Sequence, residues 1–164
     1  MNDLEHTTRA SRGARPTSAA ESPTVQFRRL QAEDGSEVRS RTLPRETASV
    51  PVARQFVREA VTDWELSGLA ADIALIATEL TANAAVHARA EVIRVTVRRV
   101  TDGRVWVAVT DRSREMPVLK TAAGADAVDG RGLTLVDSIS LNWGVDRLPW
   151  GKRVWAELEA PRVA

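Results

Sequence analysis

The sequence predicts an α+β domain. Two successive helical stripes occupy residues 46–86, and pairs of alternating strand segments follow, interrupted by one further helix. The chain has 164 residues and 43% hydrophobic content, enough for one domain with its own core.

Residues 1–24 are rich in Ser, Thr, Arg, Ala and Pro without apolar periodicity and read as a disordered tail; residues 25–164 read as the domain. Residues 25–43 hold one or two weak strands, Val38 to Leu43 being the better candidate, and Pro44 ends them. Over 46–62, Val50, Ala53, Val57 and Val61 recur at helical spacing, and Pro51 falls in the first turns, where proline is tolerated. After a turn holding Trp64 and Gly68, a second helix runs over 69–86 with Leu69, Ile73, Ile76, Ala77, Leu80 and Ala84 as its buried stripe.

Two alternating strands follow. Ile93, Val95 and Val97 share one face, as do Val105, Val107 and Val109. A three-residue loop, Thr101-Asp102-Gly103, with Gly103 in the left-handed region, pairs Val97 with Val107 and Val95 with Val109. In that phase Asp111 points toward the buried face, where a carboxylate needs a partner: a turn to cap, or a donor group on a ligand. Residues 112–131 are irregular, and so long a loop in a small domain is usually functional. It leads to Gly130-Arg131-Gly132, which opens a helix through Leu133, Leu135, Val136 and Ile139. Free N–H groups at such a start favour phosphate. Leu141, Trp143 and Val145 then alternate, and Val154, Ala156 and Leu158 after them, as a closing hairpin.

Bulk properties exclude several classes. Lys and Arg number 23 against 22 Asp and Glu, so there is no general drive toward nucleic acid or an acidic membrane. Without cysteine there is no disulfide framework, thiolate zinc site or cysteine nucleophile. The reading expects no transmembrane helix, and the polar Met1 to Arg12 lacks the apolar region of a secretory signal, so a cytoplasmic location is expected. Only Lys120 and Lys152 stand against many arginines, a composition of GC-rich bacterial genomes.

The chemistry concentrates in Glu79-Leu80-Thr81-Ala82-Asn83-Ala84-Ala85-Val86-His87. Glu79 and Asn83 are four apart, hence on one helix face, roughly 60–100° from the centre of the apolar stripe. The amide oxygen of Asn83 can ligate a hard cation such as Mg²⁺, and the Glu79 carboxylate can orient or deprotonate a nucleophile beside it. His87 lies close to the stripe and reads as a core or helix-end histidine.

Taken in order, the Glu/Asn helix, the inward Asp, the Gly-rich loop before a helix and the closing hairpin resemble the GHKL, or Bergerat, histidine-kinase-like ATPase fold. Within it the chain looks like the small ATP-binding regulators related to anti-sigma-factor serine kinases of the RsbW type. Glu79 to Ala84 with His87-Ala88 matches the family's N box, and Asp111-Arg112-Ser113 the start of its G1 box. Asp129-Gly130-Arg131-Gly132-Leu133 with Leu135-Val136 matches its G2 box, and Trp143-Gly144-Val145 with Gly151-Lys152 and Val154-Trp155 its last hairpin.

The resemblance implies a two-layer α/β sandwich whose mixed, mostly antiparallel sheet is covered on one face by helices. It implies ATP and Mg²⁺ as cofactors. Glu79 would be the general base and Asn83 the Mg²⁺ ligand. Asp111 would accept a hydrogen bond from the adenine amino group, and Gly130, Arg131, Gly132 and Leu133 would line the phosphates. It also implies a sigma factor or an anti-sigma-factor antagonist as partner, and a homodimer. Two positions depart from the pattern. Arg114, Glu115, Met116 and Pro117 stand where the G1 glycines are usual, and Arg153 where a threonine often assists the adenine Asp, so adenine binding is expected to be weaker or rearranged.

The leading reading is an ATP/Mg²⁺-dependent serine/threonine kinase acting on a partner regulator of transcription. A non-catalytic module that sequesters such a partner is the alternative. A detached histidine-kinase catalytic domain ranks last, because the only histidine besides His87 is His6 in the tail.

Overall fold

The computed structural model describes residues 7–9, 28–31, 33–87, 91–113 and 131–162. Five long strands carry the sheet: β3 (Glu37–Pro44), β4 (Val92–Thr101), β5 (Arg104–Asp111), β6 (Asn142–Leu148) and β7 (Gly151–Glu159), with the short strands β1 (Thr7–Arg9) and β2 (Arg28–Gln31) at its edges. The order across the sheet is β1-β6-β7-β5-β4-β3-β2, and every neighbouring pair among these strands is antiparallel. The two-layer α+β architecture is the expected one, with a more uniform sheet than the mixed one anticipated. Thr7–Arg9, within the stretch assigned to the tail, pairs along β6. The other residues of 1–24 lie outside the described residues.

Among the described residues the helices are α1 (Ser49–Asp63), α2 (Ala70–His87, after a 3₁₀ turn at Ser67–Leu69) and α3 (Arg131–Ile139). Their stripes meet the inward side chains of the sheet in one core, where Ile73, Ile76, Val57 and Val61 lie against Ile93, Val95, Val97, Val107 and Val109. Each such side chain removed from water contributes about 1.5–3 kcal/mol. The start of α1 is tied to the end of β3 by Ser49, whose hydroxyl donates to the Pro44 carbonyl at 2.6 Å. Its end is held by Arg39 of β3, 2.7 Å from Asp63 and stacked 5.3 Å from the Trp64 ring centre.

By length and composition the stretch Ser67–Val86 would suffice to cross a bilayer, a test that the core helix of a globular domain also passes. Leu69, Ile73, Ile76, Ala77, Leu80 and Ala84 are instead all buried in the core, so α2 spends its apolar stripe on its own sheet.

The β4–β5 register is as expected, with Val97 opposite Val107 and Val95 opposite Val109, but the turn differs. Thr101 pairs with Arg104 across a two-residue Asp102-Gly103 turn, and the register shifts between Arg99 and Thr101. Gly103 is not left-handed, because Gly35 is the only glycine with positive φ among the described residues. A bulge of one residue at Val100 does the work assigned to a longer loop, since an extra residue on one strand restores the face parity that a two-residue turn would invert.

The opposite face of the sheet is also packed. Trp106, Ala108 and Trp155 form a second apolar cluster with Val100 beside it. Next to it Asp146, fully buried, accepts a hydrogen bond from Arg153 Nη2 at 2.5 Å, and the Arg153 guanidinium stacks 5.6 Å from the Trp106 ring centre. Removing one partner of a buried pair strands the other charge. Asp146→Ala is therefore expected to lower the unfolding free energy by about 3–5 kcal/mol. Asp146→Leu combined with Arg153→Met should lose much less, as urea denaturation of both variants would show.

Candidate nucleotide site

Topology gathers the residues singled out in the sequence at one end of the sheet. α3 ends at Ile139 just before β6 begins, so its N-terminus lies toward the far end of β6, where Leu148 pairs with Gly151. Trp143 fixes this placement, donating from Nε1 to Asp137 of α3 at 2.8 Å. β5 finishes at the same end, with Asp111 opposite Lys152. α2 leads through residues 88–91 to β4, whose first residues pair with the last ones of β5, so the C-terminal half of α2 also points there.

Glu79 and Asn83 lie one turn apart in that half of α2, both half-buried. Among the described residues neither side chain makes a hydrogen bond or an ion pair. Gly132, in the first turn of α3, is pressed against Glu79: a Cβ at this position would stand 2.5 Å from Glu79 Oε2. A side chain at this position would push the carboxylate aside, and glycine leaves it in place against the α3 backbone. The first-turn N–H groups of α3, which have no intrahelical acceptor, thus lie beside the Glu79 carboxylate, itself one helical turn from Asn83. Leu133 is buried in the core, so what it offers here is its backbone N–H. Arg131 is the first residue of α3, and Gly130 lies outside the described residues. His87 closes α2, with its side chain also outside them.

Asp111 does face inward, 3% exposed. Its Oδ1 accepts the Ser113 N–H at 2.7 Å, an Asx turn that ends the strand. The same oxygen faces Lys152 Nζ at 3.3 Å. This changes the expectation for the hairpin: Arg153 points to the other face, onto Asp146, and Lys152 is the residue that meets Asp111. The strand alternation contained that signal, because Lys152 is in phase with the buried Val154, Ala156 and Leu158, and Arg153 is not. Gly151 supports the contact. A Cβ there would fall 2.0 Å from the Asp111 carbonyl oxygen, so the start of β7 lies directly on the end of β5.

The family profile for the histidine kinase-like ATPase domain matches residues 43–157, which includes α2, Asp111, Gly132 and the last hairpin. The chain belongs to the histidine kinase-like ATPase family. Membership in the family implies ATP binding. A comparison with curated proteins finds no match.

The residues present fit a nucleotide with its metal. Among the described residues no cluster of three or more His, Asp or Glu could cage an ion alone. Mg²⁺ is commonly held by one or two protein oxygens together with substrate phosphates. The Asn83 side chain, without a hydrogen bond among the described residues and one helical turn from Glu79, offers one such oxygen.

Proposed function

We propose that this domain is a cytoplasmic ATP-dependent protein serine/threonine kinase of the anti-sigma-factor type, acting on a partner that regulates transcription. One observation carries the reading: Glu79, unpaired among the described residues, is held against the Gly132 backbone at the start of α3, one turn from the unpaired Asn83. A base, a metal-ligating oxygen and phosphate-binding N–H groups are the parts that phosphoryl transfer needs, since its catalysis rests on positioning and charge neutralisation.

The N–H groups of the α3 first turn would hold the phosphates, and Asn83 the Mg²⁺ that neutralises charge on them. Glu79 would take the proton from the attacking hydroxyl of the partner's serine as its oxygen bonds to the γ-phosphorus and the bond to the β–γ bridging oxygen breaks, ADP leaving. Asp111 would accept from the adenine amino group.

Asn83→Ala is expected to abolish the Mg²⁺-dependent tightening of ATP binding while leaving the domain folded. Isothermal titration calorimetry with and without Mg²⁺ measures this, and an unchanged Mg²⁺ dependence would remove Asn83 as the ligand. Asp111→Asn exchanges one acceptor oxygen for a donor, and losing a charged hydrogen bond costs about 1.5–3 kcal/mol. ATP affinity should fall by about tenfold or more. GTP competing as well as ATP against the native protein would sink adenine selection.

A second reading rests on Arg114, Glu115, Met116 and Pro117 standing where glycines are usual. Under it the domain binds nucleotide and sequesters its partner without transferring phosphate.

A further inference from the structure

We infer that Lys152 is a base-reading residue, donating to the N1 nitrogen of the adenine ring whose amino group Asp111 accepts. The inference rests on the nucleotide reading above and extends it to a residue outside the resemblance's assignments.

Lys152 is 5% exposed, and its ammonium lies 3.3 Å from Asp111 Oδ1. An ammonium carries three N–H donors. Asp111 takes one, and among the described residues no other acceptor is assigned to Nζ. A charge so buried, with donors to spare among the described residues, is costly to keep as mere structure. A buried ion pair is often no more stabilising than apolar side chains of the same volume, so stability does not account for it. A ligand acceptor at the same end of the sheet does.

The chemistry of that acceptor follows from the geometry. A carboxylate oxygen and an ammonium within hydrogen-bonding distance form an acceptor and a donor side by side. Adenine presents the complementary pair on its Watson–Crick edge: the exocyclic amino group donates and the adjacent N1 accepts. Gly151 holds β7 against the end of β5, so the two side chains are presented from neighbouring strands in fixed register. Lys152 thereby occupies the role of the missing threonine, by direct contact.

The test compares binding of ATP and 1-deaza-ATP, in which a C–H replaces N1, by calorimetry on the whole protein with Mg²⁺. The native protein should bind 1-deaza-ATP about ten- to a hundredfold more weakly than ATP. Lys152→Met keeps the length of the side chain and removes its donors, and should bind the two nucleotides alike. Native protein that binds ATP and 1-deaza-ATP equally overturns the inference and leaves the nucleotide reading intact. Equal discrimination by the native protein and Lys152→Met overturns it too, because another group would then be reading N1. No binding of ATP by the folded native protein overturns the nucleotide reading and this inference with it. Should Lys152→Met fail to fold, the comparison on the native protein stands alone as the test, with Lys152→Gln, which keeps a neutral donor, expected to discriminate less than the native protein.

Discussion

Under the proposed kinase function, Glu79→Gln is expected to bind Mg-ATP and the partner as the native protein does, and to transfer phosphate about 10²–10⁴-fold more slowly. The substitution keeps size and hydrogen-bonding capacity and removes the basic lone pair. Glu79 is half-buried, and the Gly132 backbone leaves it space, so the amide can occupy the same place without strain. The measurement is phosphorylation of a purified antagonist partner by both proteins, with nucleotide binding followed in parallel. Rates equal and nonzero in the two proteins would keep a kinase and remove Glu79 from its mechanism. A native protein that binds Mg-ATP and never phosphorylates a cognate partner leaves the sequestering module as the function.

A large structural effect is also expected at Gly151. A methyl group there would sit 2.0 Å from the Asp111 carbonyl oxygen and 2.7 Å from Arg112 Cα. Both are backbone atoms, at the end of the neighbouring strand and just past it, so no side chain can turn aside. The strand ends must part, and Gly151→Ala should cost at least the upper part of the overpacking range of about 1–3 kcal/mol. Parting them also draws Lys152 away from Asp111, so nucleotide affinity should fall together with stability. Gly103→Ala is the control: no atom lies within 4 Å of its would-be Cβ, and its φ is not left-handed, so stability should change by only about 0.5 kcal/mol. Urea unfolding of the two variants gives the comparison, and a Gly151→Ala protein as stable as native would show that β5 and β7 are less tightly opposed than described.

Much of this architecture is local in origin and was legible in the chain. The stripe Leu69, Ile73, Ile76, Ala77, Leu80 and Ala84 is buried as its helical spacing requires, and the face parity of β4 and β5 follows from their alternation. The turn between those strands was misread because a bulge and a longer loop produce the same register, and only backbone geometry separates them. The buried Asp146 went unnoticed for a different reason. It lies on the face expected to be polar, and its burial beside Trp106 and Arg153 depends on the second apolar cluster.

The same division holds at the site. The sequence by itself determined that Glu79 and Asn83 share a helix face, that Asp111 points inward at a strand end, and that a glycine turn opens α3, because each of these follows from the period of a single element. Only the tertiary structure decided that β7 lies beside β5 in the register that brings the inward-facing Lys152 onto Asp111, 41 residues away along the chain, and that the Gly132 backbone rests on the Glu79 carboxylate. Those contacts join elements that are distant in sequence. They depend on strand order, on where α3 enters and on how closely backbones approach, and no local periodicity encodes such quantities.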